Sequence, residues 1–251
     1  MSDQNDSQNP KNNMLVVLGV GLVLGFAVGH FYTKSNMLEK GSGQAAAGTQ
    51  QVAGAQDPAA QQPEPAKDLK IVKPDATKDH WKGPEGAEFV HVEYSDFECP
   101  FCQKYSQETT GKIFEEFGDK LAMVHRQFPL SFHPKAQKSA EASECVADLG
   151  GNEAFWKFHD DLFAAMPAIE LTGLPDLAAK AGVSASAVKE CMDSDKFAQK
   201  VTDQMNEGTK AGVGATPTSV IYNMKTGKSV SIEGALPFES VKQTIEDFMK
   251  S

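Results

Sequence analysis

The stretch EYSDFECPFCQKY, residues 93–105, holds two cysteines separated by two residues. The apolar run EFVHVEY, Glu88–Tyr94, has the composition of a strand, and the segment that follows begins at Pro100 and continues with helical apolar spacing. The pair Cys99 and Cys102 therefore stands where a strand gives way to a helix. Such a pair can hold a metal ion, form a structural disulfide or exchange electrons with other thiols.

The position of Cys99 favours electron exchange. Pro100 occupies the first helical position, where its missing N–H costs nothing. The unpaired N–H groups of that first turn, with the positive end of the helix dipole, stabilise a thiolate at Cys99. Cys102 lies nearly one turn later on the same side, so it can attack a mixed disulfide at Cys99 and release the partner. We therefore predict that Cys99 is the nucleophile and Cys102 the resolving thiol.

The other two uses of a cysteine pair have less support. A zinc site needs two further ligands at suitable spacing, but Cys145 and Cys191 are isolated, and His125 and His133 form no H-x3-5-H pair. A purely structural bond across so few residues would constrain the unfolded chain little. We expect no metal and no cofactor apart from the redox-active cysteines themselves.

The composition describes one globular domain with appendages. The chain has 251 residues, of which 40% are hydrophobic, enough for one sizeable core. Its formal net charge is -10 and it has no Lys/Arg-rich run, so we expect no binding to nucleic acid.

The amino-terminal residues differ from the rest. Residues 1–13 are polar and are predicted to be disordered. Residues Met14–Tyr32 contain no Lys, Arg, Asp or Glu and would form a helix of roughly 28 Å, close to the ~30 Å hydrocarbon core of a bilayer. We predict an uncleaved transmembrane helix; a cleaved signal peptide, for which no small-x-small site follows directly, and a buried core helix are the alternatives. Residues 33–67 are rich in Gly, Ala, Gln and Pro and predict a flexible linker.

The remaining residues predict an α/β domain. Strands are expected at LKIVK near Leu69, at Glu88–Tyr94 and at LAMVHRQF, Leu121–Phe128. Several helices follow between about residues 134 and 211, separated by Gly, Pro or Ser/Asp caps. Two strands, TPTSVIYN and KSVSIEG, then form a hairpin, and PFESVKQTIEDFMK closes the chain as a helix.

Four segments carry a family resemblance: EYSDFECPFC, HRQFPLSFHPKAQKSAEASECVADLG, EAFWKFHDDLF and GVGATPTSVI. Over residues 68–251 they resemble the DsbA-like thiol-disulfide oxidoreductases, a branch of the thioredoxin fold with a helical insertion. The resemblance implies the same roles for Cys99 and Cys102. It also implies a cis-proline loop at Thr216–Pro217 that binds the partner's chain, the alternative being a trans proline at the start of a strand.

The same resemblance implies a role for Glu93, and the sequence departs from the family's pattern at two positions, Phe101 and Thr216. Glu93 matches a buried acid beneath the active site, which can relay protons and perturb the thiols; a solvent-facing strand residue is the alternative. The best-known oxidases of the family carry Pro-His between the cysteines, whereas Phe101 offers no imidazolium to stabilise the thiolate. They also tend to have Val before the cis-proline, while Thr216 resembles the choice of isomerases and reductants.

Cys145 and Cys191 fall in two helices of the predicted insertion. An even number of cysteines in a chain with a membrane-directing segment suits an oxidising compartment, so we expect these two to form a structural disulfide. Two buried thiols acting as small hydrophobic side chains are the alternative.

Other conspicuous side chains receive no functional role. Phe155, Trp156, Phe158 and Phe163 have helical spacing and are expected in the core, and His133 and His159 are expected to be packed or solvated.

These observations predict an enzyme that oxidises the thiols of substrate proteins to disulfides outside the cytoplasm. We expect a monomer held at the bacterial cytoplasmic membrane with its catalytic domain on the periplasmic side. By resemblance alone, a membrane reoxidase of the DsbB type would restore its disulfide. A disulfide reductase or isomerase and a copper-handling thioredoxin-like protein without enzymatic activity are the alternatives.

Overall fold

The computed structural model describes residues 67–251. The predicted disordered tail, residues 1–13, the predicted transmembrane helix, Met14–Tyr32, and residues 33–66 of the predicted linker lie outside the described residues. Among residues 67–251, no helix is both long and apolar enough to cross a membrane.

A five-stranded sheet forms the centre of the domain, with the strand order β1-β3-β2-β4-β5. β2 and β3 run parallel, and the other three pairings are antiparallel. The strands are β1, His80–Lys82; β2, Phe89–Ser95; β3, Leu121–Gln127; β4, Thr218–Asn223; and β5, Ser229–Glu233.

The central strand β2 contains Glu93 and ends shortly before the helix that begins at Pro100. Because side chains alternate along a strand, Val90, Val92 and Tyr94 share one face of the sheet and His91 and Glu93 share the other. Glu93 pairs in register with His125 of β3 and with Ser219 of β4. Its carboxyl group is therefore enclosed by neighbouring strands on both sides.

Within residues 67–251, eight helical regions surround the sheet or form the insertion. They are α1, Pro100–Tyr105; a π-helical segment, Ser106–Thr110; α2, Gly111–Phe117; α3, Ala136–Ala165; α4, Leu174–Lys180; α5, Ala185–Asp193; α6, Ala198–Ala211; and α7, Phe238–Met249. A short 3-10 turn at Leu171–Gly173 precedes α4.

The two faces of the sheet are covered by different helices. On the Glu93 face, Tyr105 of α1, Ile113 of α2 and Ile245 of α7 pack into one apolar cluster with sheet residues. On the opposite face, α6 approaches closely at Gly208, because a Cβ there would lie 2.8 Å from the Tyr94 ring. That face holds a second apolar cluster around Val90 and Val92.

Helices α3 to α5 build a core of their own beside the redox pair. Phe158, Leu162, Leu174 and Val188 belong to an apolar cluster that also contains both cysteines of the CPFC motif. Cys145 of α3 and Cys191 of α5 are joined by a disulfide, with 6.0 Å between their Cα atoms. The predicted pairing of these two cysteines is thus present in the structure.

The α/β fold with a helical insertion is confirmed, and two local features differ from the sequence-based prediction. LKIVK is not a strand: Leu69 and Ile71 are buried, but among residues 67–251 this stretch pairs with no strand of the sheet, and Pro74 ends the extended run. The short edge strand β1 was not predicted, since three residues give too little pattern. The two helices expected from the sequence lie end to end in α3, and Gly151, with φ of 80°, interrupts the helical backbone between them.

Candidate active site

Cys99 and Cys102 lie at the start of α1, and both are free thiols. Cys99 is the N-cap residue with an extended backbone, φ −72° and ψ 121°, and Pro100 follows as the first helical residue. The backbone carbonyl of Cys99 accepts the first helical hydrogen bond, from the Gln103 N–H at 3.0 Å. The sequence predicts this geometry, because proline begins helices readily and an extended residue must precede it.

The pKa of Cys99 falls from its ordinary value to about 6. The largest cause is hydrogen bonding with the Cys102 thiol, which stabilises the thiolate. Burial acts in the opposite direction, and hydrogen bonds from Thr216 and from the backbone N–H groups of Cys102 and Phe101 lower the pKa further. The N–H groups at the start of α1 therefore act on the sulfur as their position predicts.

Cys102 has the opposite character. Burial raises its pKa well above the ordinary value, and hydrogen bonding and charge repulsion from Cys99 add to the effect. The charge of Glu93 raises it again. At neutral pH the pair therefore holds one anionic sulfur, at Cys99, and one protonated sulfur, at Cys102.

The Thr216–Pro217 peptide bond is cis, as the resemblance implies. The sulfur of Cys99 lies 3.5 Å from the carbonyl oxygen of Thr216. These two residues come from the segment before β4, more than 100 positions along the chain from Cys99. The sheet brings them together because β4 pairs with β2, whose end leads into the CPFC motif.

Glu93 is buried beneath the cysteines, with 1% of its surface exposed, so the solvent-facing alternative is wrong. Burial raises its pKa to about 7, and hydrogen bonding from Ser95 and Thr110 reduces the rise. Its charge acts on both Cys102 and Tyr105. A carboxyl group that titrates near neutral pH beside a buried thiol can accept or return that thiol's proton.

Phe101 points away from this buried group. Its side chain is 49% exposed and stands at the surface between the two cysteines. Phe132, on the loop after β3, is the most exposed large apolar side chain among residues 67–251, at 73%. An apolar side chain that is exposed next to a reactive sulfur, as Phe101 is, offers contact area to a partner protein.

Asp96 links the Phe132 loop to the active-site loop, and the sequence did not indicate it. Its side chain accepts from the backbone N–H of Leu130 at 2.9 Å and lies 2.7 Å from Nδ1 of His133. Its backbone carbonyl accepts from the N–H of Cys99 at 3.1 Å. His133 is thus paired with Asp96 rather than solvated. Asp96 also positions the backbone of Cys99, the residue directly before α1.

Gln103 is a second residue that sequence reasoning missed. Its amide donates to the backbone carbonyls of Phe163 at 2.7 Å and Met166 at 2.5 Å, which joins α1 to the end of α3. These acceptors lie 60 and 63 positions away, so no local pattern could reveal them. A cavity of about 160 Å³ lies between Cys99 and the cis Met166–Pro167 bond.

The aromatic residues of α3 lie in the core, as predicted. Phe155, Trp156, Phe158 and Phe163 are buried, and His159 is buried among them with Nδ1 2.8 Å from Asp160. Within the described part of the chain, no group of three or more His, Cys, Asp or Glu side chains is placed to hold a metal ion.

Comparison with known proteins agrees with this geometry. The sequence pattern of the family described as Thioredoxin matches residues 75–247, about two thirds of the chain. The chain belongs to the thioredoxin family. The matched residues include the active-site motif, the cis-proline loop and the helical insertion.

Two solved structures are similar to the domain. BdbD from Bacillus subtilis, in its oxidised form, has 28% sequence identity and a TM-score of 0.62, covering 74% of this chain and 100% of its own. DsbA2 from Pseudomonas aeruginosa has 24% identity and a TM-score of 0.55, covering 69% and 95%, and it supports the fold. The similarity to DsbA-type structures supports an oxidoreductase.

The curated relatives are longer proteins. The Na(+)/H(+) antiporter NhaA 1 of Mycolicibacterium vanbaalenii is 36% identical over 171 residues, which are 65% of this chain and 26% of that protein. The chain thus spans about a quarter of the length of the curated relatives it matches. The antiporter name describes that whole protein.

Proposed function

We propose that this protein is a thiol-disulfide oxidoreductase that oxidises pairs of thiols in substrate proteins. The observation that carries the proposal is the unequal pair of sulfurs at the start of α1, a Cys99 whose pKa is about 6 beside a Cys102 whose pKa is raised. Nucleophilic exchange needs one good thiolate that also leaves readily, and the lower pKa gives Cys99 both properties.

The proposed cycle starts from a Cys99–Cys102 disulfide. A substrate thiolate attacks Cys99 Sγ, the bond to Cys102 breaks, and Cys102 takes a proton as it leaves. A second substrate thiolate then attacks the substrate sulfur of the mixed disulfide and releases Cys99 as a thiolate. The substrate gains one disulfide, and the enzyme is left with two reduced cysteines.

The pKa of Cys99 bears on the direction of electron flow. Each pKa unit of thiolate stabilisation favours the reduced pair by about 1.4 kcal/mol, or roughly 30 mV. Thioredoxin and DsbA have nucleophile pKa values near 7 and 3.5 and potentials near −270 and −120 mV. A Cys99 pKa of about 6 then corresponds to roughly −200 to −240 mV.

A potential in this range is sufficient for oxidation. Structural disulfides of secreted proteins have potentials below about −300 mV, so transfer to them is favoured by at least roughly 60 mV, a factor of about 100. The disulfide between Cys145 and Cys191 supports an oxidising location for this domain as well.

A disulfide reductase or isomerase is the second candidate. The observations that favour it are the moderate pKa of Cys99 and the threonine at position 216, whose counterpart in the best-known oxidases of the family tends to be valine. In that direction the reduced pair would attack a substrate disulfide through Cys99, and Cys102 would resolve the complex.

We further propose the setting in which the enzyme works. The substrates are thiol-containing proteins outside the cytoplasm, and a membrane reoxidase of the DsbB type restores the disulfide. The enzyme acts as a monomer anchored at the bacterial cytoplasmic membrane, with its catalytic domain on the periplasmic side, and it needs no cofactor beyond its cysteines. These proposals rest on the sequence and on the family resemblance, and ion transport is not part of them.

The redox equilibrium of the full-length protein tests the direction. The purified chain is equilibrated with glutathione buffers of known potential, and free thiols are trapped and counted by mass spectrometry. We expect half-reduction at roughly −200 to −240 mV, with Cys99 and Cys102 changing together and Cys145 and Cys191 remaining oxidised. A midpoint more reducing than about −270 mV would favour the reductase.

Metal analysis of the same preparation separates the copper-handling alternative. Stoichiometric copper on the reduced protein, lost on Cys99→Ser substitution, would favour that alternative over an oxidoreductase. We expect exchange activity in protein that is free of copper.

A further inference from the structure

A small cavity opens beside Cys99, between the start of α1 and the segment that follows α3. Its volume is about 160 Å³. Cys99 and Met166 in its wall are buried, whereas Pro100 and Pro167 in the same wall are exposed. The cavity is therefore reached from the surface next to the residue that would bond to a substrate sulfur.

Most of the side chains that line this cavity are apolar. Phe97, Met166 and the two prolines contribute rings and a thioether chain. The lining also contains two polar side chains, Glu98 and Gln103. What these two can offer to a ligand depends on whether their polar ends are already bound.

The polar ends of Glu98 and Gln103 are bound to backbone groups. The Gln103 amide donates to the carbonyls of Phe163 at 2.7 Å and Met166 at 2.5 Å. The Glu98 carboxylate accepts from the backbone N–H of Lys135. A polar side chain that entered the cavity would therefore lose its hydration without gaining free partners there.

Lys135 holds the two sides of the cavity together. Its backbone N–H bonds to Glu98, and its ammonium group donates to the carbonyls of Pro167 at 2.8 Å and Ile169 at 2.9 Å. The loop before Cys99 and the segment after α3 are thus joined through one residue. The cavity is formed before any substrate is present, which reduces the entropy that binding costs.

The size of the cavity suits one large apolar side chain. An apolar cavity of about 150 Å³ in another protein holds a molecule as large as benzene. A leucine or phenylalanine side chain has comparable dimensions, and its burial would remove apolar surface from water while filling a void. A charged side chain would be disfavoured in the same place.

We propose that this cavity is a subsite for a large apolar side chain of the residue that flanks the reacting cysteine of the substrate. The inference rests on the proposed exchange function and names its substrate class. A mixed disulfide fixes the substrate cysteine at Cys99, and the Cα of the neighbouring residue lies 3.8 Å from that of the cysteine. Its side chain therefore reaches a cavity that Cys99 itself lines.

The subsite differs from the surface formed by the cis-proline loop. Among residues 67–251, the lining of the cavity does not include that loop, and the wall opposite α1 comes from the helical insertion. Met166 would thus be a specificity-determining residue that contacts the substrate side chain without taking part in the exchange of sulfurs.

An exchange equilibrium of the full-length Cys102→Ser protein tests the proposal, because the mixed disulfide at Cys99 cannot be resolved in this variant. Its mixed disulfide with glutathione is incubated with a short peptide that has one cysteine. The peptide thiolate attacks Cys99 Sγ, glutathione leaves as a thiolate, and mass spectrometry gives the ratio of the two mixed disulfides. The peptides carry Ala, Leu, Phe, Trp or Asp before or after the cysteine. Each constant is divided by that of the same peptide with free glutathione disulfide, which removes differences in thiol chemistry.

We expect Leu and Phe to exceed Ala by at least about tenfold at one of the two flanking positions, and Asp to fall below Ala. Met166→Ala enlarges the cavity and should raise the ratio of Trp to Leu at least about threefold. Met192→Ala is the matched control, because Met192 is a buried methionine of the same apolar cluster that does not line this cavity. It should keep the wild-type ratio.

Two outcomes would overturn the inference. One is equal constants for Ala, Leu and Phe at both flanking positions. The other is an apolar preference that Phe101→Ser abolishes, which would place the contact on the exposed Phe101 ring; this comparison remains decisive even if Met166→Ala does not fold. If Cys102→Ser forms no mixed disulfide with glutathione at all, the proposed exchange function fails instead, and that result differs from both.

Discussion

The chain holds two pairs of cysteines in one apolar cluster, and they have different chemistry. Cys99 and Cys102 are free thiols at the start of a helix, beside a cis-proline loop and above a buried acid. Cys145 lies inside α3 and Cys191 inside α5, where backbone N–H groups are already engaged, and they are bonded to each other. Burial is common to both pairs and does not by itself make a cysteine reactive.

What differs is the set of groups that stabilise an anionic sulfur. At Cys99 the unpaired N–H groups of α1, Thr216 and the Cys102 thiol all lower the pKa. A bond between Cys145 and Cys191 instead closes a loop of 46 positions, which stabilises the fold by restricting the unfolded chain. Placement in the fold therefore separates an exchanging pair from a structural one.

The largest expected effect is on exchange when Cys99 is removed. Cys99→Ser should reduce disulfide transfer to a reduced substrate protein by roughly 10³-fold or more, because a serine hydroxyl stays protonated at this site. Cys102→Ser should instead accumulate a mixed disulfide that mass spectrometry detects. Transfer that continues in Cys99→Ser would remove the distinction between the two pairs.

Removal of the second pair should change stability and leave exchange intact. The double substitution Cys145→Ala and Cys191→Ala is expected to lower the free energy of unfolding by about 4 kcal/mol, the value of the chain-entropy model for a loop of this length. Urea denaturation measures it, with the glutathione equilibrium of Cys99 and Cys102 as the control. A changed redox equilibrium would mean that the pairs are coupled.

The third prediction concerns Glu93, whose charge acts on Cys102 of the reactive pair. Its pKa is raised to about 7, so the folded state binds more protons than the unfolded state above the ordinary value, and its contribution to stability falls as pH rises through this range. The free energy of unfolding of Glu93→Gln, measured relative to that of wild type, should rise by up to about 3 kcal/mol between pH 4.5 and pH 8.

The comparison with wild type is necessary because other groups titrate in the same range. Burial lowers the pKa values of His91, His125 and His159, which makes stability rise with pH and opposes the effect of Glu93. These histidines are present in both proteins, so their effect cancels in the difference. Glu88→Gln, at a partly exposed surface pair with Lys225, is the control and should show no such gain. A flat difference for Glu93→Gln would mean that its carboxyl group is not desolvated.

Local signals account for the predictions that the structure confirms. The extended residue before Pro100, the strand-forming composition of β2 and β3 and the Ser184 cap of α5 are all set within a few residues. The strand predicted at LKIVK is wrong because it also rested on a local signal. Its alternating pattern reflects the burial of Leu69 and Ile71, whereas a strand also needs a neighbouring backbone to pair with, and a short window of sequence does not reveal one.

The rest of the site depends on contacts between distant residues. Gln103 is an ordinary helical residue in sequence, and its role is set by carbonyls at the end of α3. Asp96 stands in the quoted motif, but its bonds to Leu130 and His133 depend on the path of the loop after β3. Nothing in the sequence distinguishes His159 from other core residues, and only the folded chain places it beside a cavity.

By itself, the sequence determined where a thiolate could be stabilised, because the helix start at Pro100 and the position of Cys99 before it are properties of adjacent residues. The tertiary structure alone decided how far that sulfur and its neighbours depart from ordinary thiols and acids. The pKa values of Cys99, Cys102 and Glu93 are set by burial and by groups from β4, the π-helical segment and the sheet. Desolvation and hydrogen bonding act over a few ångströms in space, and only folding brings such groups that close.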